Sequence, residues 1–406
     1  MGGPIIIVGA GHAAGHLVMS LRADGFSGSI TVIGEEPHVP YQRPPLSKQY
    51  LGGEVGLAKL YLRPGEWYRD AGIDLISDTA VTGIDRAAKT IALSDGRTLE
   101  YDQLALTTGS RVRTLPIPGV DLPGVFYLRT IQDVDRIREH FVAGRRLAII
   151  GGGYIGLEAT AVAVKKGLVV TVLEMDTRVM SRVVAPIMSE FFEDVHRTAG
   201  VDVRTSVRVT GIVRNEDSLS VCSDDGAIVV ADLVIIAVGI VPNVELAAAA
   251  GLPTDNGILV DEFGRTSDPC IVAAGDCTNH PSFIYGRRVR LESVQNAMSQ
   301  ARVAAAALNG KPKPYTDVPT FWSEQYDLRL QIVGLSQGYD DIVVRGDPGE
   351  RAFALFYLKE GVLVAVDAIN KPMEFMHCRR LVADRARVAP DQLKDPAVPV
   401  QDAVRL

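Results

Sequence analysis

The sequence predicts an α/β protein with two Rossmann-like dinucleotide-binding domains and a C-terminal α+β domain. Three observations predict it. A unit of strand, glycine turn, helix and strand occurs twice, opening at Ile5 and again at Leu147. Each copy is followed by a β-rich appendage, and the chain after Lys311-Pro312-Lys313-Pro314 changes to short apolar strands.

In order, residues 5–8 form an apolar strand, the turn Gly9-Ala10-Gly11 follows, residues 13–22 have helical patterning, and 29–33 form a second strand. Residues 88–93 and 99–106 read as strands joined by the turn Asp95-Gly96-Arg97. The grammar then repeats: strand 147–150, turn Gly151-Gly152-Gly153, helix 155–166 and strand 169–173. Strands at 219–221 and 228–238 flank Asp225-Gly226 as the second appendage. Strands are expected at 328–333, 342–345, 352–358 and 362–368 in the tail, and the stretch from Asp384 onward is left between helix and loose tail. The expected domains are 1–112 with 242–318, then 113–241, then 319–406.

Composition excludes several classes. With 406 residues, 47% hydrophobic and 22% charged, the chain suits two or three ordinary soluble domains rather than a disordered protein. No apolar run reaches the ~18 residues that span a bilayer, and no basic leader precedes the first strand, so a cytoplasmic location away from membranes is expected. Cys222, Cys270, Cys277 and Cys378 form no pair with metal or redox spacing, so neither a disulfide scaffold nor a metal site is expected. A net charge of -7 disfavours nucleic acid as a partner.

The two turns carry the chemistry. In Gly9-Ala10-Gly11-His12-Ala13-Ala14 the glycines let backbone N–H groups approach a pyrophosphate at the helix N-terminus, and Ala14 fills the third, tolerant position. A tight turn alone needs glycine whether or not anything binds there. Here a strand precedes it, a helix follows, and Glu35, with Glu36 as rival, stands where a carboxylate accepts ribose hydroxyls. Gly151, Gly153 and Gly156 with Glu174 repeat the arrangement, Tyr154 and Ile155 lying inside the loop. An acid at the Glu174 position favours NADH over NADPH, while Arg178, four residues on, is the one residue that would admit a 2′-phosphate. The side chain of His12 faces phosphate or solvent, with no partner at metal-ligand spacing.

Thr107-Thr108-Gly109-Ser110 and Ala273-Ala274-Gly275-Asp276 each end a strand. Together they resemble the two-dinucleotide flavoproteins shaped like glutathione reductase. That resemblance implies FAD at the first turn, with Asp276 holding its ribityl chain, and NADH at the second, closed by residues 237–243 with Gly239. A sharper match is Pro40-Tyr41-Gln42-Arg43-Pro44-Pro45-Leu46-Ser47-Lys48, similar to the flavin loop of the NADH-dependent ferredoxin reductases of oxygenase systems. It continues through Tyr154-Ile155-Gly156-Leu157-Glu158, residues 292–297 and Phe321-Trp322-Ser323-Glu324-Gln325-Tyr326, covering nearly the whole chain. The resemblance also implies FAD contacts from Arg43, Val81, Thr108, Gly109, Arg129, Val294 and Trp322. Val294 departs from the aromatic residue frequent in relatives.

Disulfide-reducing cousins carry a redox cysteine pair where this chain reads 44–48, and no cysteine is present there, so a dithiol relay is excluded. The resemblance places Lys48 and Glu158 beside the isoalloxazine as an ion pair; an exposed pair would be worth only ~0–1 kcal/mol. Tyr154 is expected to cover the flavin until nicotinamide displaces it, with core packing as the alternative, and Trp322 to neighbour the ring. The implied activity is hydride transfer from NADH to FAD and single-electron delivery to an acidic two-iron (2Fe-2S) ferredoxin. That ferredoxin would serve a haem-thiolate monooxygenase or a ring-hydroxylating dioxygenase. Arg287-Arg288-Val289-Arg290 is a candidate docking rim or simply a solvated charged face. Two other readings stand beside it: a reductase of a small oxidant such as dioxygen or monodehydroascorbate, and an NADH-responsive binding protein like apoptosis-inducing factor.

Overall fold

Two compact units form in the computed structural model, which describes residues 3–405. The first comprises the chain up to Arg43, Leu57–Arg111 and Val241–Phe321; the second comprises Pro44–Gly56, Val112–Ile240 and the chain from Trp322. Segment 44–56 thus departs from the continuous first domain expected over 1–112. Its side chains explain why, since Lys48 bonds Glu158 and Tyr50 bonds Asp135, both in the second unit.

The first unit is built on a five-stranded parallel sheet in the order Ile271–Ala273, Gln103–Leu106, Ile5–Val8, Ile30–Ile33, Ile73–Ile76. Every residue of the central strand Ile5–Val8 is buried, as expected for a parallel sheet covered on both faces. Helix His12–Ala23 turns Leu17, Val18 and Leu21 into the core, where Ala301, Ala304 and Leu308 of helix Val294–Leu308 meet them. The run of alanines on the longer helix keeps that contact close. Strands Val81–Asp85, Thr90–Leu93 and Thr98–Glu100 form the antiparallel appendage.

The second unit repeats this plan. Its parallel sheet runs Asp202–Arg204, Val169–Leu173, Arg146–Ile150, Leu233–Ile236, Val125–Tyr127. The strand expected over 228–238 divides instead into Ile228–Ala231 and Leu233–Ile236. Asp232 sits at the break and takes the Arg146 guanidinium at 2.5 Å. A second, five-stranded sheet holds the tail, with Leu328–Gly334, Val362–Ile369, Ala352–Lys359 and Asp341–Asp347 paired antiparallel. The stretch after Asp384 is ordered: Arg345, nearly buried, donates to the carbonyls of Leu393, Asp395, Pro396 and Val398 and pairs with Glu374. One internal guanidinium therefore fastens a segment whose own patterning is weak. No helix among the described residues is long and apolar enough to cross a membrane.

Candidate functional site

The first glycine turn has the geometry that the pattern requires. Gly9 has φ +99°, and a Cβ there would lie 2.4 Å from the Thr107 carbonyl oxygen, so any side chain would break the turn. Gly11 is different. It caps helix His12–Ala23 in an extended conformation with no side-chain hydrogen bond, and a Cβ there would meet nothing within 4 Å. Helices Ile131–Arg138 and Val294–Leu308 instead start on the hydroxyls of Thr130 and Ser293, each accepting from a first-turn N–H. The Gly11 end keeps its first-turn donors and the positive end of the helix dipole open to an anion.

Around this turn the first unit gathers most of the residues expected at FAD. Ala13 and Ala14 are buried against the sheet. Glu36 is committed to the Tyr41 hydroxyl (2.6 Å) and the Arg43 guanidinium (2.7 Å), whereas Glu35 is exposed. Thr108 donates to the Asn243 carbonyl, Gly109 takes φ +61° with open space over its Cα, and Asp276 accepts from Ser110 at 2.8 Å. Val81 and Val294 are half-buried. Burial lowers the His12 imidazole to about 4, helped by His16 and Arg43, so it is neutral near pH 7.

The second turn reproduces the first. Gly151 has φ +108° against the Ala237 carbonyl, Gly153 caps helix Tyr154–Lys165 with open space and no side-chain bond, and a Cβ on Gly156 would lie 2.2 Å from the Gly151 oxygen. Glu174 accepts from the Gly152 N–H at 2.6 Å and the Asp176 N–H at 2.8 Å, which fixes its carboxylate beside the turn with lone pairs to spare. Arg178 is not available there. Its guanidinium donates to the Val184 and Ser181 carbonyls and the Ser189 hydroxyl, stapling its own loop. Gly239, at φ +100°, accepts from the Arg113 N–H. Ile155 is exposed, and Tyr154 is half-buried with its phenol pushed well above the usual range by burial, with Asp367 and Glu158 adding to the shift. Arg129 is half-buried where the chain enters helix Ile131–Arg138.

Also in the second unit, Lys48 Nζ lies 2.6 Å from Glu158 Oε2, and both residues are buried. The pair is not an exposed one. Ser47 Oγ donates to the same Glu158 oxygen at 2.5 Å and Ser323 Oγ to the other at 2.7 Å. Three donors on one buried carboxylate satisfy its oxygens with hydrogen bonds. Trp322, the residue before Ser323, is half-buried on strand Thr320–Gln325. Ser47 and Ser323 were not predicted as site residues. Both lie inside the distinctive segments, but a hydroxyl's partner 111 or 165 residues away leaves no local mark. Ser110 was missed for the same reason. Two of the expected docking cations are engaged within the first unit: Arg288, itself exposed, donates to the Val260 and Asn279 carbonyls, and Arg290 pairs with Glu292.

These cradles fit a dinucleotide at each turn. Residues 3–301 match the model of pyridine nucleotide-disulphide oxidoreductases and 320–404 that of the reductase C-terminal domain. Putidaredoxin reductase from Pseudomonas putida is 45% identical, the match covering 98% of this chain and 96% of that protein. Rhodocoxin reductase from Rhodococcus erythropolis is 45% identical over 96% of this chain and 92% of its own. Among solved structures, the covalent putidaredoxin reductase–putidaredoxin complex matches with a TM-score of 0.96 at 44% identity, covering 98% of this chain and 97% of that one. A ferredoxin reductase for the CYP199A2 system of Rhodopseudomonas palustris matches with 0.95 at 43% identity, covering 99% of this chain and 100% of that one.

Proposed function

Because the chain belongs to the pyridine nucleotide-disulphide oxidoreductase family, we propose that it is an NADH-dependent ferredoxin reductase that uses FAD. Its acceptor is a two-iron ferredoxin feeding a haem-thiolate monooxygenase or a ring-hydroxylating dioxygenase, in the cytoplasm. When bound, FAD takes up a hydride as an electron pair and gives the electrons out singly.

The chain's own residues bind, orient and set charge. The first unit holds FAD, and the Val112–Ile240 part of the second unit holds NADH. Gly9 and Gly11 admit the FAD pyrophosphate, Glu35 accepts from its ribose, and Asp276, steadied by Ser110, holds the ribityl chain. Glu174 accepts both ribose hydroxyls of NADH and repels a 2′-phosphate, a preference that the commitment of Arg178 to its own loop leaves unopposed. Tyr154 covers the flavin until nicotinamide arrives. Lys48 and Glu158 set the charge beside the ring.

The observation that carries the reading is segment 44–48. It lies where disulfide-reducing relatives keep their cysteines, contains none, and instead presents Lys48 to Glu158 at 2.6 Å. The chain therefore offers no dithiol in that segment to relay an electron pair to a disulfide, and a bound flavin would serve an external one-electron acceptor. Stopped-flow mixing of the yellow protein with NADH or NADPH, followed by cytochrome c reduction with and without a two-iron ferredoxin, tests this. Fast bleaching by NADH, at least tenfold slower bleaching by NADPH, and ferredoxin-dependent cytochrome c reduction are expected. NADH consumption by dioxygen at the same rate without ferredoxin would replace the reading with that of a small-oxidant reductase.

A further inference from the structure

The Glu158 carboxylate is the end of a longer hydrogen-bonded line, all of it within the second unit. Beyond Ser323 Oγ stands Gln325 Nε2 at 3.3 Å; Gln325 Oε1 lies 2.8 Å from His196 Nε2, and His196 Nδ1 lies 2.9 Å from the Tyr326 hydroxyl. Glu158, Ser323, Gln325 and His196 are all at most 2% exposed, and Tyr326 is 37% exposed. The line therefore runs from the surface to the Lys48 ion pair.

Its direction follows from chemistry. An ionised carboxylate only accepts, so Ser323 must donate its one proton to Glu158 Oε1. The serine oxygen is then left to accept, which turns the Gln325 NH2 toward it and the Gln325 carbonyl toward His196. That carbonyl needs a donor, so His196 carries its proton on Nε2, and Nδ1 accepts from Tyr326. Reversing any one link leaves two donors or two acceptors facing each other, which a buried group tolerates poorly. Burial lowers the imidazole to about 4, against the raising effect of the Gln325 bond, which keeps it in the neutral form that the line needs.

We propose that Tyr326, His196, Gln325 and Ser323 form a one-way hydrogen-bond relay that holds Glu158 as the carboxylate partner of Lys48, with Gln325 and His196 as positioning residues of the reductase. The proposal rests on the reading that puts this pair beside the flavin. With Gln325 removed, Ser323 is free to turn from Glu158, and the carboxylate's charge is less well neutralised. A ring that gains negative charge on reduction is then harder to reduce.

The test is the two-electron midpoint potential of the FAD-loaded protein, measured for wild type, Gln325→Met and Glu158→Gln. Gln325→Met is expected to keep its flavin and shift the equilibrium about tenfold, ~30 mV downward, while Glu158→Gln shifts it upward. If Glu158→Gln moves the potential and Gln325→Met does not, the relay is overturned and the placement of the pair stands. If neither moves it, the placement fails and takes the relay with it. Nitrogen-15 histidine spectra of the wild-type holoenzyme give a check independent of variant folding: the Nε2–H tautomer of His196 is expected, and the Nδ1–H tautomer overturns the proposal.

Discussion

His196 and His280 are buried and His12 is largely so, and each has its pKa lowered to about 4, first by burial. Unfolded, each would protonate near its ordinary value of 6.5. Between about pH 6.5 and 4 the unfolded chain therefore binds more protons than the folded one, so stability falls as the pH drops through that window. Asp367 acts in the opposite sense. Buried and bonded to the Tyr357 hydroxyl at 2.5 Å, its carboxyl is pushed up to about 7 by burial, so its contribution is lost as pH rises from 3.8 through 7. Three imidazoles outweigh one carboxyl, and thermal unfolding midpoints are expected to fall from pH 7 to pH 5. His280→Gln should flatten that decline and Asp367→Asn should steepen it; a wild-type midpoint independent of pH in this range contradicts the assignment. None of these environments could be read from the sequence, because burial of a histidine depends on packing from distant segments. The place of Glu174 after a strand was legible from the pattern, while the two bonds that occupy Glu36 were not, since they depend on how the Tyr41–Arg43 segment folds back.

At the scale of elements, the two strand–turn–helix units were legible because each glycine answers a local geometric demand, and local demands repeat in sequence. The grouping of 44–56 with the second unit was not, since it depends on Lys48 and Tyr50 finding partners 110 and 85 residues away. The ordered tail was likewise hidden, its anchor being Arg345 rather than any periodicity of its own. The uncapped helix start at Gly11 allows binding to be separated from folding. Gly11 has an extended backbone and open space, so Gly11→Asp is tolerated and supplies an N-cap carboxylate worth a few tenths of a kcal/mol over glycine. On the proposed function the same carboxylate would stand where the pyrophosphate binds. The variant is expected to unfold at the same or a slightly higher temperature as apoprotein while its flavin content, read from the 450 nm band after dialysis, falls at least tenfold. Full flavin retention would place the pyrophosphate elsewhere.

For the whole molecule, the balance of electrons sets the constraint. NADH delivers two at once and a two-iron ferredoxin accepts one, so each NADH must serve two ferredoxins and release one proton. The chain carries a net charge of -7, and an acidic ferredoxin is drawn only by local positive surface, which makes the encounter sensitive to salt. With Arg288 bonded to backbone carbonyls and Arg290 paired with Glu292, that surface is not the simple arginine run that the sequence offers. The most direct measurement is an anaerobic titration of the flavoprotein with NADH in the presence of excess two-iron putidaredoxin, following the iron–sulfur and flavin bands together. Two equivalents of reduced ferredoxin per NADH are expected, with the flavin back in its oxidised form at each addition; flavin that bleaches while the ferredoxin stays oxidised would contradict electron delivery to a two-iron acceptor.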